Sequence, residues 1–85
     1  MKRFMKFSDI ISDLVATRMV QPGLIIRCIS TDKIMILNKF NIVGDLTEHY
    51  GFFTEDRTLE QTVDPNSVWE LVNIDLEGDI TNEQQ

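Results

Sequence analysis

Residues 24–40, LIIRCISTDKIMILNKF, contain two apolar runs separated by a short polar turn around Thr31 and Asp32. Isoleucine is common in both runs, and β-branched side chains favour extended strands. Two such runs on either side of a short turn predict a β-hairpin. The turn lacks the Asn-Gly dipeptide that tight hairpins prefer, so the sequence leaves the register of the pair open.

The chain before the hairpin has a helical pattern. Ser8 is a suitable N-cap, while Asp9 in the first turn and Arg18 in the last turn suit the helix dipole. We predict a helix over residues 8–19, which the QPG sequence at 21–23 ends. The apolar side chains that recur at intervals of three and four, and so share one helical stripe, are Phe7, Ile10, Ile11, Leu14, Val15 and Met19.

The chain after the hairpin supplies further strands. The run FNIV at residues 40–43 either continues the second strand or begins another, and DLTEHYGFF at residues 45–53 has the length of a strand. The last apolar run, residues 68–74, is ambiguous. Ser67 and Glu70 match a helical capping box, whereas the β-branched and aromatic side chains of the run favour a strand. We expect a strand, as an edge partner of the preceding meander.

The predicted fold is therefore α+β. An N-terminal amphipathic helix packs on a small, curved antiparallel sheet of four or five strands, or on a partly closed barrel. The 85 residues of the chain suffice for one hydrophobic core, so we assign residues 1–76 to a single domain and residues 77–85 to an acidic, mobile tail. Translation can start at Met1 or at Met5, and the sequence does not decide between them.

Charge divides the chain into two unlike halves. Residues 1–39 carry seven Lys or Arg and three Asp, whereas residues 40–85 carry one Arg and eleven Asp or Glu. The net charge of -6 disfavours binding to nucleic acid, whose phosphates require a basic surface. The two halves either neutralise each other or leave an acidic face for a basic partner. The single cysteine and the lack of a long apolar stretch predict a cytoplasmic protein, in the host cytoplasm if it is viral.

The residue inventory argues against catalysis, because nucleophile, base and orienting group must converge and the chain has one His and one Cys. Cys28 alternates with Leu24 and Ile26 in an apolar strand, where cysteine behaves as a small buried hydrophobe. No Cys or His pair has the spacing of a zinc site, and the four glycines are too far apart for a phosphate-binding loop. We predict neither an enzyme nor a protein that holds a metal or cofactor.

The segment DLTEHYGFF poses a packing problem. Alternation places Phe52 on one face of the strand beside Tyr50, and Phe53 on the other face beside His49. A half-buried strand should keep its large apolar groups on one side. Either Gly51 forms a β-bulge that turns Phe53 back towards the core, or a second molecule covers one of the faces.

We therefore predict a small, acidic, non-catalytic interaction or regulatory module that binds a larger protein, as phage-encoded accessory and inhibitor proteins do. Aromatic side chains anchor many protein interfaces. The predicted partner-binding residues are Glu48, His49, Tyr50, Phe52, Trp69 and Glu70. Self-association is compatible with this function, since basic and acidic halves invite head-to-tail contacts.

Two other functions are alternatives. In the first, an oligomeric protein binds a small anionic ligand such as a nucleotide, in a pocket lined by Arg27, Lys33, Lys39 and His49. In the second, which is less favoured, the sheet binds single-stranded nucleic acid by stacking bases on Tyr50, Phe52 and Phe53. The acidic second half of the chain opposes this last function.

Overall fold

An antiparallel sheet with a helix on one of its faces makes up the fold. The computed structural model describes residues 3–73, so the predicted tail at 77–85 lies outside the described residues. The helix begins as α1 (Phe7–Asp9) and continues with π-helical geometry over Ile10–Val15. The strands of the described part are β1 (Phe4–Lys6), β2 (Ile25–Cys28), β3 (Ile34–Phe40), β4 (His49–Thr54), β5 (Leu59–Glu60) and β6 (Val68–Leu71).

The predicted hairpin lies at the centre of the sheet as β2 and β3, with Ile25 opposite Ile36. Its turn is longer than two residues, since the Cys28 N–H donates to Lys33 O at 2.8 Å. Asp32 takes a positive φ of 61° in this turn. Aspartate tolerates that conformation better than most residues do, so the turn forms without glycine.

The strands follow the order β1-β6-β2-β3-β4-β5, and every pair is antiparallel. The strand predicted in the last apolar run is confirmed as β6, but it lies between β1 and β2 rather than at an edge. The sequence did not predict β1 or β5, because strands of three and two residues are too short to show a period. Within residues 3–73 the sheet thus has six strands instead of four or five, and it is not closed into a barrel.

The helix is shorter than predicted and starts differently. Ser8 does not cap it, because the helix begins at Phe7 with Lys6 in the N-cap position, so Ser8 lies inside the first turn. The N–H groups of Phe7 and Ser8 donate to Ser67 O and Pro65 O, at 2.8 and 3.0 Å. Regular helix ends at Val15, not at residue 19, and Arg18 has a positive φ of 62°. In the π-helical part, hydrogen bonds from residue i to residue i−5 widen the turns. The side chains that face the sheet therefore differ from those predicted for a regular α-helix.

One face of the sheet, the inner face, packs against the helix and holds the core. Ile10 and Leu14 are buried, as predicted, whereas Ile11 and Met19 of the expected stripe are exposed. The ring of Phe7 lies 5.5 Å from Phe52 and 6.1 Å from Trp69, between centroids. The buried core residues are Ile10, Leu14, Val20, Leu24, Ile26, Cys28, Met35, Leu37, Phe52, Trp69 and Leu71.

Candidate functional site

The loop between β3 and β4, residues 41–48, presents apolar side chains to solvent. Val43 and Leu46 are fully exposed, and Ile42 is half exposed. The run FNIV therefore does not continue as a strand beyond Phe40. Single exposed apolar residues are ordinary on protein surfaces, but three within five residues at the tip of one loop form a local apolar surface.

This loop is held in its shape by hydrogen bonds. The N–H of Asp45 donates to Ile42 O at 2.9 Å, closing a turn in which Gly44 takes a positive φ of 86°. The Asp45 carboxylate then accepts from the Thr47 N–H at 2.8 Å and lies 2.9 Å from His49 Nε2. These two hydrogen bonds, with the Thr47 backbone first, lower the pKa of Asp45 to about 2. The carboxylate thus stays ionised while it braces the loop.

Three of the predicted partner-binding residues, Glu48, His49 and Tyr50, follow one another at the base of the loop, with His49 and Tyr50 on opposite faces of the sheet. Glu48 accepts a hydrogen bond from Lys39 at 3.2 Å, and His49 stacks on Phe40 with centroids 5.4 Å apart. Tyr50 is half-buried, since it packs against the edge of the core, and the guanidinium of Arg18 lies 4.7 Å from the centre of its ring. This pairing also covers the ring on which a nucleic-acid base would have to stack.

The other predicted partner-binding residues lie elsewhere. Phe52 and Trp69 are 2 % and 3 % exposed and belong to the core of the chain itself, and the Trp69 indole N–H donates to Ser67 Oγ at 2.8 Å. Glu70 is buried on the opposite, outer face of the sheet, where Arg27 Nη2 donates to its carboxylate at 2.7 Å. The six predicted residues therefore do not form one surface.

The four residues of the predicted anion pocket are not brought together either. Lys33 lies at the turn of the β2–β3 hairpin, and Lys39 and His49 lie near its other end, on opposite faces. Each contacts a carboxylate of the chain, and the hydrogen bonds to Glu70 and then Asp32 raise the pKa of Arg27. The ion pairs are Arg27 with Glu70 and Asp32, Lys33 with Glu60, Lys39 with Glu48, and His49 with Asp45.

Gly51 does not form a bulge. The β3–β4 ladder is continuous from Met35 opposite Thr54 to Phe40 opposite His49, so Phe52 faces the core and Phe53 faces outward. The glycine has a packing role instead. A Cβ atom at Gly51 would lie 2.7 Å from Leu59 Cδ1 and 3.1 Å from Phe40 Cε1. The absence of a side chain lets these two residues cover part of the outer face.

The outer face carries a row of apolar side chains that sequence reasoning missed. Ile25 lies opposite Ile36, Ile36 opposite Phe53, and Phe53 opposite Leu59. Val72 extends the row, since its N–H donates to Ile25 O at 2.9 Å. The sequence does contain a sign of this row. In β2 and β3 several consecutive residues are apolar, so both faces of these strands carry apolar side chains, as in strands buried on both faces. We call Val72, Ile25, Ile36, Phe53 and Leu59 the apolar row.

A groove of about 600 Å³ lies beside the middle of this row, over β3 and β4. The rings of Phe40 and Phe53 meet edge to face in its wall, with centroids 6.2 Å apart, and Ile36 also lines it. Arg57 and Glu55 stand at its rim. The outer face thus combines an apolar floor with charges of both signs.

Cys28 is buried on the inner face, as predicted. Burial raises the pKa of its thiol, but hydrogen bonds from Ser30 and Thr31 outweigh that effect and lower the pKa to about 7. The Sγ atom lies 3.4 Å from Ser30 Oγ. Its low exposure leaves little access for a substrate.

Comparison with known proteins finds no relative of this chain. No protein-family model, curated protein or solved structure matches the chain. Among residues 3–73, no group of three or more His, Cys, Asp or Glu side chains is arranged to hold a metal ion. None of the helices described is both long and apolar enough to cross a membrane.

Proposed function

We propose that this protein is a non-catalytic interaction module that docks its β3–β4 loop into an apolar pocket of a larger protein. The observation that carries the proposal is the full exposure of Val43 and Leu46 on a loop that its own hydrogen bonds hold in place. Burying these two side chains contributes about 3–6 kcal/mol before the costs of association. A loop ordered beforehand loses little entropy on binding, so more of that contribution remains as affinity.

The charges beside the apolar tip define the kind of pocket that fits it. Asp45 and Glu48 flank Leu46, and the low pKa of Asp45 keeps its carboxylate charged near neutral pH. A pocket with an apolar floor and lysine or arginine at its rim complements both features. The protein would act by occupying that pocket, as an accessory or inhibitory subunit does.

The geometry favours this function over binding of a small anion or of single-stranded nucleic acid. Each cation of the predicted anion pocket contacts a carboxylate within the chain. Of the three aromatic residues proposed to stack bases, Phe52 is buried in the core and Tyr50 lies under Arg18. Neither alternative is supported by a specific contact.

The test is a capture experiment from lysate of the native source with a loop variant and a matched control. The loop variant is the double substitution Val43→Ser and Leu46→Ser. The control is the double substitution Ile11→Ser and Met19→Ser, which alters exposed apolar side chains of the helical segment. Both variants should keep the thermal midpoint of the wild type within a few degrees, because exposed side chains contribute little to stability.

We expect the wild type and the control to capture the same protein and the loop variant to lose it. With the captured protein purified, the loop variant should bind at least tenfold more weakly, a difference of about 1.4 kcal/mol. High salt should weaken the wild-type complex, because it screens the attraction between the basic side chains at the pocket rim and the acidic side chains of the loop. Equal capture by the loop variant and the wild type would show that the loop does not bind the partner.

A further inference from the structure

We propose that the outer face of the sheet is the contact surface of a homodimer with two-fold symmetry, separate from the loop that binds the larger partner. Antiparallel sheets with one solvated face normally carry polar side chains there. Here the apolar row crosses the four neighbouring strands β2, β3, β4 and β5 and continues to Val72, the residue after β6, without a polar residue. Phe4 and Val68, on the same face, are 51 % and 42 % exposed. The helix covers only the inner face.

The charged side chains near the apolar row favour binding to a second copy of this chain over binding to a partner of opposite charge. Near the apolar row, Arg27 and Glu70 form an ion pair, with Nη2 and Nε both donating to one carboxylate oxygen, at 2.7 and 3.2 Å. Asp32 also binds the guanidinium. Because these three charges are already paired within the chain, burying this part of the face against a second copy leaves none of them without a partner. An apolar surface of this kind is self-complementary, as an isologous interface requires.

The size of the face sets the strength of the dimer. Five inter-strand spacings of about 4.8 Å and strands of roughly 15 Å give the face a footprint on the order of 400 Å² per copy. A contact of that size lies at the low end of specific interfaces, which bury less than about 1,200 Å² in total. We therefore expect a dimer that dissociates in the micromolar range. The two sheets would pack about 10 Å apart, with one apolar row crossing the other.

The test is sedimentation velocity of the full chain over a concentration range of about 5 to 500 µM, which spans the expected dissociation constant. The wild type should change from the 9.9 kDa monomer to a species of twice that mass. The face variant carries Val68→Lys and Val72→Lys, at exposed positions of the outer face, and it should dimerise at least tenfold more weakly. The control carries Val43→Lys and Leu46→Lys in the β3–β4 loop, and it should dimerise as the wild type does.

Methyl NMR provides a second measurement that needs no variant. The methyl signals of Ile25 and Ile36 should shift with protein concentration, while those of Ile42 in the loop should not. A wild type that stays monomeric at the highest concentration would overturn the proposal, as would a face variant with unchanged association or a mass that rises beyond the dimer. The two proposals fail separately, because the face variant should still capture the larger partner and the loop variant should still dimerise.

Discussion

The adjacent residues Phe52 and Phe53 provide a direct test of the β4 register. Phe52 is 2 % exposed in the core, and its ring lies 5.5 Å from Phe7. Phe53 is half-buried on the outer face, beside Phe40. Removing a buried phenylalanine side chain costs about 3–5 kcal/mol, whereas Phe53, with part of its surface already in water, should cost about half as much.

The substitution must leave a folded protein to measure. A chain of this length has a total stability of about 4–13 kcal/mol, so Phe52→Ala alone can unfold it. Leucine retains much of the volume, and we expect Phe52→Leu to cost about 1–2 kcal/mol and Phe53→Leu less than about 1 kcal/mol. Each variant serves as the matched control for the other, because the two positions share the strand and the substitution.

The assay is urea unfolding followed by the fluorescence of Trp69, the single tryptophan of the chain, which is 3 % exposed. With a slope of about 1 kcal/mol per molar urea, the midpoint of Phe52→Leu should fall by about 1–2 M. Protein at about 1 µM lies below the range of about 5 to 500 µM that spans the expected dissociation constant, so the dimer is largely dissociated and does not add to the measured stability. A larger loss for Phe53→Leu than for Phe52→Leu would refute the continuous register and restore a bulge at Gly51.

Three further outcomes follow from the same contacts. The absorbance of the Cys28 thiolate should titrate with a midpoint near pH 7, and Ser30→Ala should raise it because a hydrogen bond to the sulfur is lost. Gly51→Val should lower the free energy of unfolding by about 1–3 kcal/mol in urea titrations, since it displaces Leu59. The folded pKa of Asp45, about 2, lies below its ordinary value of 3.8, so the stability it contributes is present above about pH 4 and is lost as the pH falls through 2. The Asp45 carboxyl signals in NMR should therefore titrate near pH 2, and a midpoint near 4 would show that the carboxylate does not brace the loop.

If both proposals hold, they reinforce each other. A dimer joined through the outer faces carries two β3–β4 loops. Two loops on one particle raise the apparent affinity for a partner that is itself oligomeric, provided that both can engage at once. The face variant should then bind such a partner more weakly than the wild type without any change to its loop.

Local patterns along the chain were sufficient for part of this structure. The hairpin at 24–40 follows from two β-branched runs around a polar turn, and β6 follows from the β-branched and aromatic side chains after Ser67. Burial of Cys28 follows from its alternation with Leu24 and Ile26. These features depend on neighbours in sequence, so residue type and spacing predict them.

Contacts between segments far apart in the chain decided the features that the sequence did not predict. The helix start was predicted at Ser8, but the helix begins at Phe7, where the N–H groups of Phe7 and Ser8 donate to the carbonyls of Ser67 and Pro65. Trp69 and Phe52 were expected at a surface because aromatic residues anchor interfaces, yet their strands point them into the core. Glu70 was expected to bind another protein. Its position opposite Arg27 on β2 instead places its carboxylate in an ion pair within the chain.

The sequence by itself determined that this protein has an amphipathic N-terminal helix and a β-hairpin over residues 24–40 and is apolar enough for one core, because these depend on composition and local period. Only the tertiary structure decided that apolar side chains on the outer face of β2, β3, β4 and β5 form one row with Val72, and that Val43 and Leu46 project from a braced loop. The physical reason is that a side chain's face follows from strand register, and register depends on hydrogen bonds between segments far apart in the chain.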